Sequence, residues 1–110
     1  MDIITLDQQV SVSGQMTVDD IAQLKAMNVK IIVCNRPDNE VEGQPTFAEI
    51  EAAAQAADVQ IVNIPFSGGG MQAEQVEAFA ELLSTQKRLH AYCRTGNRCT
   101  QIWAVAKGNV

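Results

Sequence analysis

Apolar positions along the chain follow two rhythms, and the switches between them mark the elements. Val10 and Val12 alternate with Gln9, Ser11 and Ser13, the two-residue period of a half-buried strand. Residues 2–6 are also rich in strand formers, and Asp7-Gln8-Gln9 between the two runs predicts a hairpin turn. From Thr17 the spacing becomes helical. Thr17 and Asp20 form a capping-box pair with Asp in place of Glu, and Val18, Ile21 and Leu24 fall on one face. Asn28 is placed to end that helix in the left-handed conformation. Val29 to Cys34 is apolar except for Lys30, which predicts a central strand buried on both faces.

Asn35 to Pro45 reads as a loop, with Pro37 keeping Arg36 out of helix. Thr46 and Glu49 cap the next helix, whose apolar stripe is Phe47, Ile50, Ala54 and Ala57. Val59 to Ile64 alternates as a strand, and Pro65 to Gly70 is a glycine-rich loop. Met71 to Ser84 predicts a third helix with Val76, Phe79, Ala80 and Leu83 inward. Leu89 to Tyr92 is a last strand, with His90 expected at its surface or edge. Thr100 to Lys107 is a last helix closed by Gly108, and Trp103 belongs to the core. Helices alternating with apolar strands imply a three-layer α/β domain over residues 1–110, with a mostly parallel sheet flanked by helices.

Composition bounds the chemistry. The chain has 110 residues, enough for a single domain, and a net charge of −5 that argues against nucleic-acid binding. No stretch is long and apolar enough to span a membrane, and the first residues lack the basic start of a signal peptide. Three cysteines, an odd number, fit free thiols in a reducing compartment, so the expected location is cytoplasmic. No cofactor is expected. His90, Cys93 and Cys99 match no zinc spacing, so no metal is expected either.

Ligands of parallel sheets bind beyond the carboxyl ends of the strands, where the loops starting at Cys34, Pro65 and Cys93 converge. Cys93 stands at a strand end on a loop that feeds a helix N-terminus, which favours the reactive thiolate. Arg98 adds a planar cation able to hold a tetrahedral anion on two N–H groups. Thr95, Gly96 and Asn97 complete a cradle for an anion, with Gly96 supplying backbone freedom and Arg94 raising the local positive potential. Arg36 is a candidate for binding substrate or bracing the cysteine loop. Asp38 is the best-placed general acid, since Pro65 to Gly70 has none. Cys99 has two readings, a resolving thiol for Cys93 or a small apolar residue at a helix start. Cys34 reads as core packing.

The succession Ser13-Gly-Gln, Asn35-Arg-Pro-Asp, Gln44-Pro, Ile64-Pro, Gly69-Gly and Ala91-Tyr-Cys-Arg-Thr-Gly-Asn-Arg98 resembles the beta-lactamase-hydrolase-like family. That family's domain is described as phosphatase-like and sometimes labelled a sulfurtransferase. The resemblance covers essentially the whole chain and implies a dual-specificity-phosphatase-like, that is cysteine-phosphatase-like, fold. It also implies a cysteine-dependent hydrolase in which Thr100 stands where phosphatases carry a hydroxyl that assists release of the thiol. Cysteine phosphatases place arginine six positions after the cysteine, whereas Arg98 is five after Cys93 and Cys99 holds the sixth position. The shorter loop resembles that of rhodaneses. Three functions follow as expectations. The first is phosphatase-like hydrolysis of a small anionic substrate or phosphoprotein. The second is sulfur transfer from a sulfane-sulfur donor to a thiol acceptor through a Cys93 persulfide. The third is non-catalytic binding of an anion or phosphoprotein.

Overall fold

A computed structural model describes all 110 residues. The strands are β1 (Ile4–Thr5), β2 (Val10–Ser13), β3 (Ile31–Cys34), β4 (Gln60–Asn63) and β5 (Leu89–Tyr92). The helices are α1 (Ile21–Ala26), α2 (Phe47–Ala56), α3 (Ala73–Ser84) and α4 (Asn97–Ala106), with 3-10 turns at Val18–Asp20 and Lys107–Asn109. The sheet order is β1-β2-β5-β3-β4; β1 pairs antiparallel with β2 and the other pairs are parallel. This is the three-layer α/β architecture, with a mostly parallel sheet flanked by helices, that the alternating pattern implies.

Strand parity assigns the two cores. Val10, Val12, Ile31, Val33, Leu89 and Ala91 face α3 and α4, where Val76, Phe79, Leu83 and Ile102 complete one apolar layer. Ile32 and Cys34 face the opposite way, against Ile21, Leu24, Ile50 and Ala54 of α1 and α2. The chain builds outward from β2 to β3 to β4 over α1 and α2. It then reverses through α3 on the other face and inserts β5 between β2 and β3. Keeping crossovers right-handed requires the helices to change face at such a reversal. The crevice at a switch point opens beyond the carboxyl end of β5, where Cys93 lies.

Most element ends agree with the apolar pattern to within a few residues. Thr46 Oγ1 accepts the Glu49 N–H at 3.2 Å, and Asp20 accepts the Thr17 N–H at 2.7 Å, as the two capping pairs require. Asn28 adopts φ 66°. Four expectations are corrected. Helix α4 starts at Asn97, three residues before Thr100, because Gly96 at φ 94° turns the chain directly into it. Gly108 does not cap that helix, which instead tightens into the 3-10 turn Lys107–Asn109. His90 is neither surface nor edge: it is fully buried on the central strand. Ser11 Oγ sits 2.8 Å from its Nδ1 and Ser13 Oγ 2.8 Å from its Nε2. Alternation explains the trio, since Ser11 and Ser13 share the β2 face on which their neighbour β5 presents His90. Burial lowers the imidazole pKa to about 4, so the ring is neutral, giving and taking one hydrogen bond. Trp103 is only half-buried, with Lys107 Nζ 4.0 Å from its ring centre.

Candidate active site

The alternation that sends Leu89 and Ala91 towards α3 and α4 also sends Cys93 there, one residue past β5. Its N–H donates to the Ser13 carbonyl at 3.3 Å, extending the β2–β5 ladder into the loop. The chain then turns through Arg94 and Thr95 to Gly96, whose N–H donates to Cys93 Sγ at 3.1 Å. The Cys99 thiol, and after it the backbone N–H groups of Cys99, Thr95 and Gly96, favour the anionic form of that sulfur. Together these donors, the Cys99 thiol first, outweigh burial and lower the Cys93 pKa from 9.0 to about 5. At neutral pH Cys93 is a thiolate. Burial keeps Cys99 protonated, well above its ordinary range, as a donor must be.

This arrangement has a pH signature. The ultraviolet absorbance of the Cys93 thiolate should titrate with a midpoint near pH 5, far below the ordinary 9.0. The folded pKa is depressed, so the linked stability is complete above about pH 9 and is lost as pH falls through about 5.

Gly14 lets the β2 exit pass against this loop. A Cβ there would lie 2.9 Å from the Arg94 carbonyl oxygen, a backbone atom that cannot step aside alone. Gly14→Ala should therefore cost about 1–3 kcal/mol in urea unfolding. It should also raise the Cys93 midpoint, because the loop N–H groups are displaced from the sulfur.

The cationic half of the site is built by pairing. Arg98 Nη1 donates to Glu40 Oε2 at 2.7 Å and Nη2 to Glu40 Oε1 at 2.8 Å, a two-point clasp. Nη1 also donates to the Phe66 carbonyl at 3.0 Å. Arg36 Nε donates to the same Glu40 Oε1 at 2.9 Å and Nη1 to Gln15 Oε1 at 3.0 Å. One carboxylate thus bridges two guanidiniums and ties together the loops that follow β2, β3, β4 and β5. Arg98, then Arg36, lower the Glu40 pKa to about 2. Glu40 first, and after it the Cys93 sulfur, hold the Arg98 pKa above its usual value.

The remaining predicted site residues have other partners. Asp38 Oδ1 accepts the Phe47 N–H at 2.8 Å at the start of α2, and its second carboxylate oxygen has no protein partner. Thr100 Oγ1 donates to the Gly96 carbonyl at 3.0 Å, one turn back along α4, rather than to the sulfur. Thr95 Oγ1 accepts the Asn97 N–H at 3.3 Å. Asn97 is exposed as the first residue of α4, and the exposed Arg94 side chain makes no hydrogen bond or ion pair. Arg36, 4% exposed, braces Glu40 and Gln15. Sequence reasoning missed Glu40 and Gln15. The available signal was two arginines on converging loops with no acid assigned to them.

No group of three or more His, Cys, Asp or Glu side chains could hold a metal ion, and all three cysteines are free and buried. No helix is long and apolar enough to cross a membrane.

The family model described as beta-lactamase hydrolase-like protein, phosphatase-like domain, matches residues 2–110. The chain belongs to that family. Among curated relatives of this phosphatase-like domain is a beta-lactamase hydrolase-like protein of Agrobacterium fabrum, 27% identical over 108 residues. That match takes in 97% of this chain but 25% of the relative, so the domain spans about a quarter of the curated proteins it resembles. A crystal structure from Neisseria meningitidis, described as a candidate phosphatase, superposes with a TM-score of 0.84 at 38% identity. It covers 94% of this chain and 74% of that one. The PP-IP phosphatase catalytic domain of S. cerevisiae superposes with a TM-score of 0.64 at 11% identity, over 86% and 56% of the two chains, a likeness of fold alone. These likenesses support a phosphatase-like enzyme.

Proposed function

We propose that this phosphatase-like domain is a sulfur carrier. Cys93 Sγ attacks the outer sulfur of a persulfide donor, the donor's S–S bond breaks, and its thiolate leaves. An acceptor thiol then attacks the outer sulfur of the Cys93 persulfide and restores the thiolate. The observation that carries this reading is the clasp of Glu40 on Arg98. A phosphate ester dianion needs both guanidinium N–H groups and meets a carboxylate already holding them. Moving Glu40 aside would also strip the ion pair from the buried Arg36. A sulfane sulfur adds a single atom, which the N–H donors around Cys93 can cradle. It also needs no general acid.

The fold shared with phosphatases favours a second reading, hydrolysis through a phosphocysteine held by Arg98 and the loop N–H groups. In that case Glu40 must release Arg98. One comparison separates the two. Brief exposure to glutathione persulfide, followed by alkylation and mass spectrometry, should add one sulfur, about 32 Da, to the Cys93 peptide. With an acceptor thiol present, the protein should turn over. Phosphocysteine formation and turnover of an aryl phosphate, without sulfur uptake, would replace this reading by the second. Binding of phosphate with neither reaction would leave an anion-binding domain.

A further inference from the structure

The Cys99 thiol has a role that neither sulfur carriage nor phosphate chemistry requires. It stands in the first turn of α4, three residues past Gly96, whose N–H meets Cys93 Sγ at 3.1 Å, and each of the two thiols shifts the titration of the other. Both cysteines are fully buried in the same apolar layer against α3. Cys34 is the other thiol on this edge of the sheet, but parity places it on the opposite face, where its Sγ donates to the Arg36 carbonyl at 3.2 Å. A sulfur atom loaded on Cys93 therefore has one protein thiol beside it, in a layer that excludes bulk water. A thiol buried in the same layer competes with any acceptor arriving from solvent.

We infer that Cys99 resolves the Cys93 persulfide, so that the domain releases hydrosulfide as well as passing sulfane sulfur to acceptors. Cys99 Sγ attacks the inner sulfur of the Cys93 persulfide anion. A bond forms between the two cysteine sulfurs, and the bond from Cys93 Sγ to the sulfane sulfur breaks. The sulfane sulfur departs with the electron pair and takes up the Cys99 proton as hydrosulfide. Two thiol-level sulfurs are oxidised to a disulfide and the sulfane sulfur is reduced, so no further oxidant is needed. A solution thiol then reduces the disulfide and completes a persulfide-reducing cycle. The persulfide comes from the sulfur-carrier reading; the pairing of the two thiols stands apart from it.

The sequence makes the product easy to see. Trypsin cuts after Arg88, Arg94, Arg98 and Lys107, so Cys93 and Cys99 fall on separate peptides, Leu89–Arg94 and Cys99–Lys107. Wild-type protein given one equivalent of glutathione persulfide, without other thiols, should release one hydrosulfide per chain and yield these two peptides linked. Cys99→Ser and Cys99→Ala, once loaded with one sulfur on Cys93, should hold it there and release hydrosulfide at least about tenfold more slowly than equally loaded wild type. Cys34→Ser should behave as wild type. Far-ultraviolet circular dichroism of both Cys99 variants shows whether the fold survives.

Hydrogen peroxide supplies a separate arm. It should oxidise the Cys93 thiolate to a sulfenic acid, which condenses with the Cys99 thiol, losing water, to give the same linked peptides. Unlinked peptides after both treatments overturn the pairing, as does wild-type hydrosulfide release by a folded Cys99 variant. Linkage by peroxide with no sulfur taken up from the persulfide overturns the sulfur-carrier reading and the release reaction, and leaves the pairing standing.

Discussion

Cys93→Ser should lower sulfur uptake from a persulfide donor about a thousandfold or more, while the far-ultraviolet circular dichroism remains that of the wild type. The Gly96 N–H and the start of α4 favour an anion at position 93, and a serine hydroxyl stays protonated at neutral pH. Its oxygen can still accept the Gly96 N–H, so the loop keeps its shape and only the thiolate is lost. Hydrolysis of any aryl phosphate should fall with it, because both readings use the same sulfur. A variant that retained uptake would move the chemistry to Cys34 or Cys99. The absorbance step near pH 5 should vanish in the same protein. That loss ties the titration to the reacting atom.

Glu40→Ala is the second large effect, and it acts on stability and on anion recognition together. Removing the carboxylate leaves Arg36 with Gln15 alone and frees Arg98 from its clasp. Breaking a fully buried pair costs more than breaking an exposed one. The Glu40 side chain is 24% exposed and Arg98 13%, so a loss of about 2 kcal/mol is expected in urea unfolding. Acid unfolding supplies the sign. Glu40 is more acidic folded than unfolded, so its contribution is complete above pH about 4.5 and lost as pH falls towards about 2. Glu40→Gln should flatten the stability profile across that window. Both variants should bind inorganic phosphate more tightly than wild type, measurable by calorimetry, because Arg98 regains two free donors. Unchanged phosphate affinity would show that the clasp does not limit access to Arg98.

The sheet was legible because its information is local. Alternation at Val10–Ser13 and the apolar run ending at Cys34 identify strands with no knowledge of their partners. Parity within those strands then assigns Leu89, Ala91 and Cys93 to one face. The start of α4 was not legible in the same way. Asn97 and Arg98 are polar and carry no helical stripe, and only the φ of Gly96 reveals that the helix has begun. Glu40 was still harder to find. Its importance comes from Arg98, 58 residues away, and a glutamate in a polar loop has no distinguishing pattern of its own. His90 misled for a related reason. A polar residue reads as exposed until the neighbouring strand supplies Ser11 and Ser13, and the β2–β5 pairing cannot be read from either strand alone. The sequence revealed Cys93 through its setting, but showed the partners of its loop only through the fold.

The placement of β5 bears on how the molecule comes into being. The strand that carries Cys93 is the last of five to leave the ribosome and the middle one of the sheet. Until residues 89–92 arrive, the β1–β2 hairpin and the β3–β4 pair have no shared edge, because each meets the other only through β5. Closing the sheet demands contacts distant in sequence, a slow kind of assembly that leaves strand edges open in the nascent chain. The same insertion that completes the sheet brings the Cys93 loop against Ser13 and Gly14. A half-made chain therefore lacks the surroundings that favour a Cys93 thiolate, which assemble only when the domain is whole.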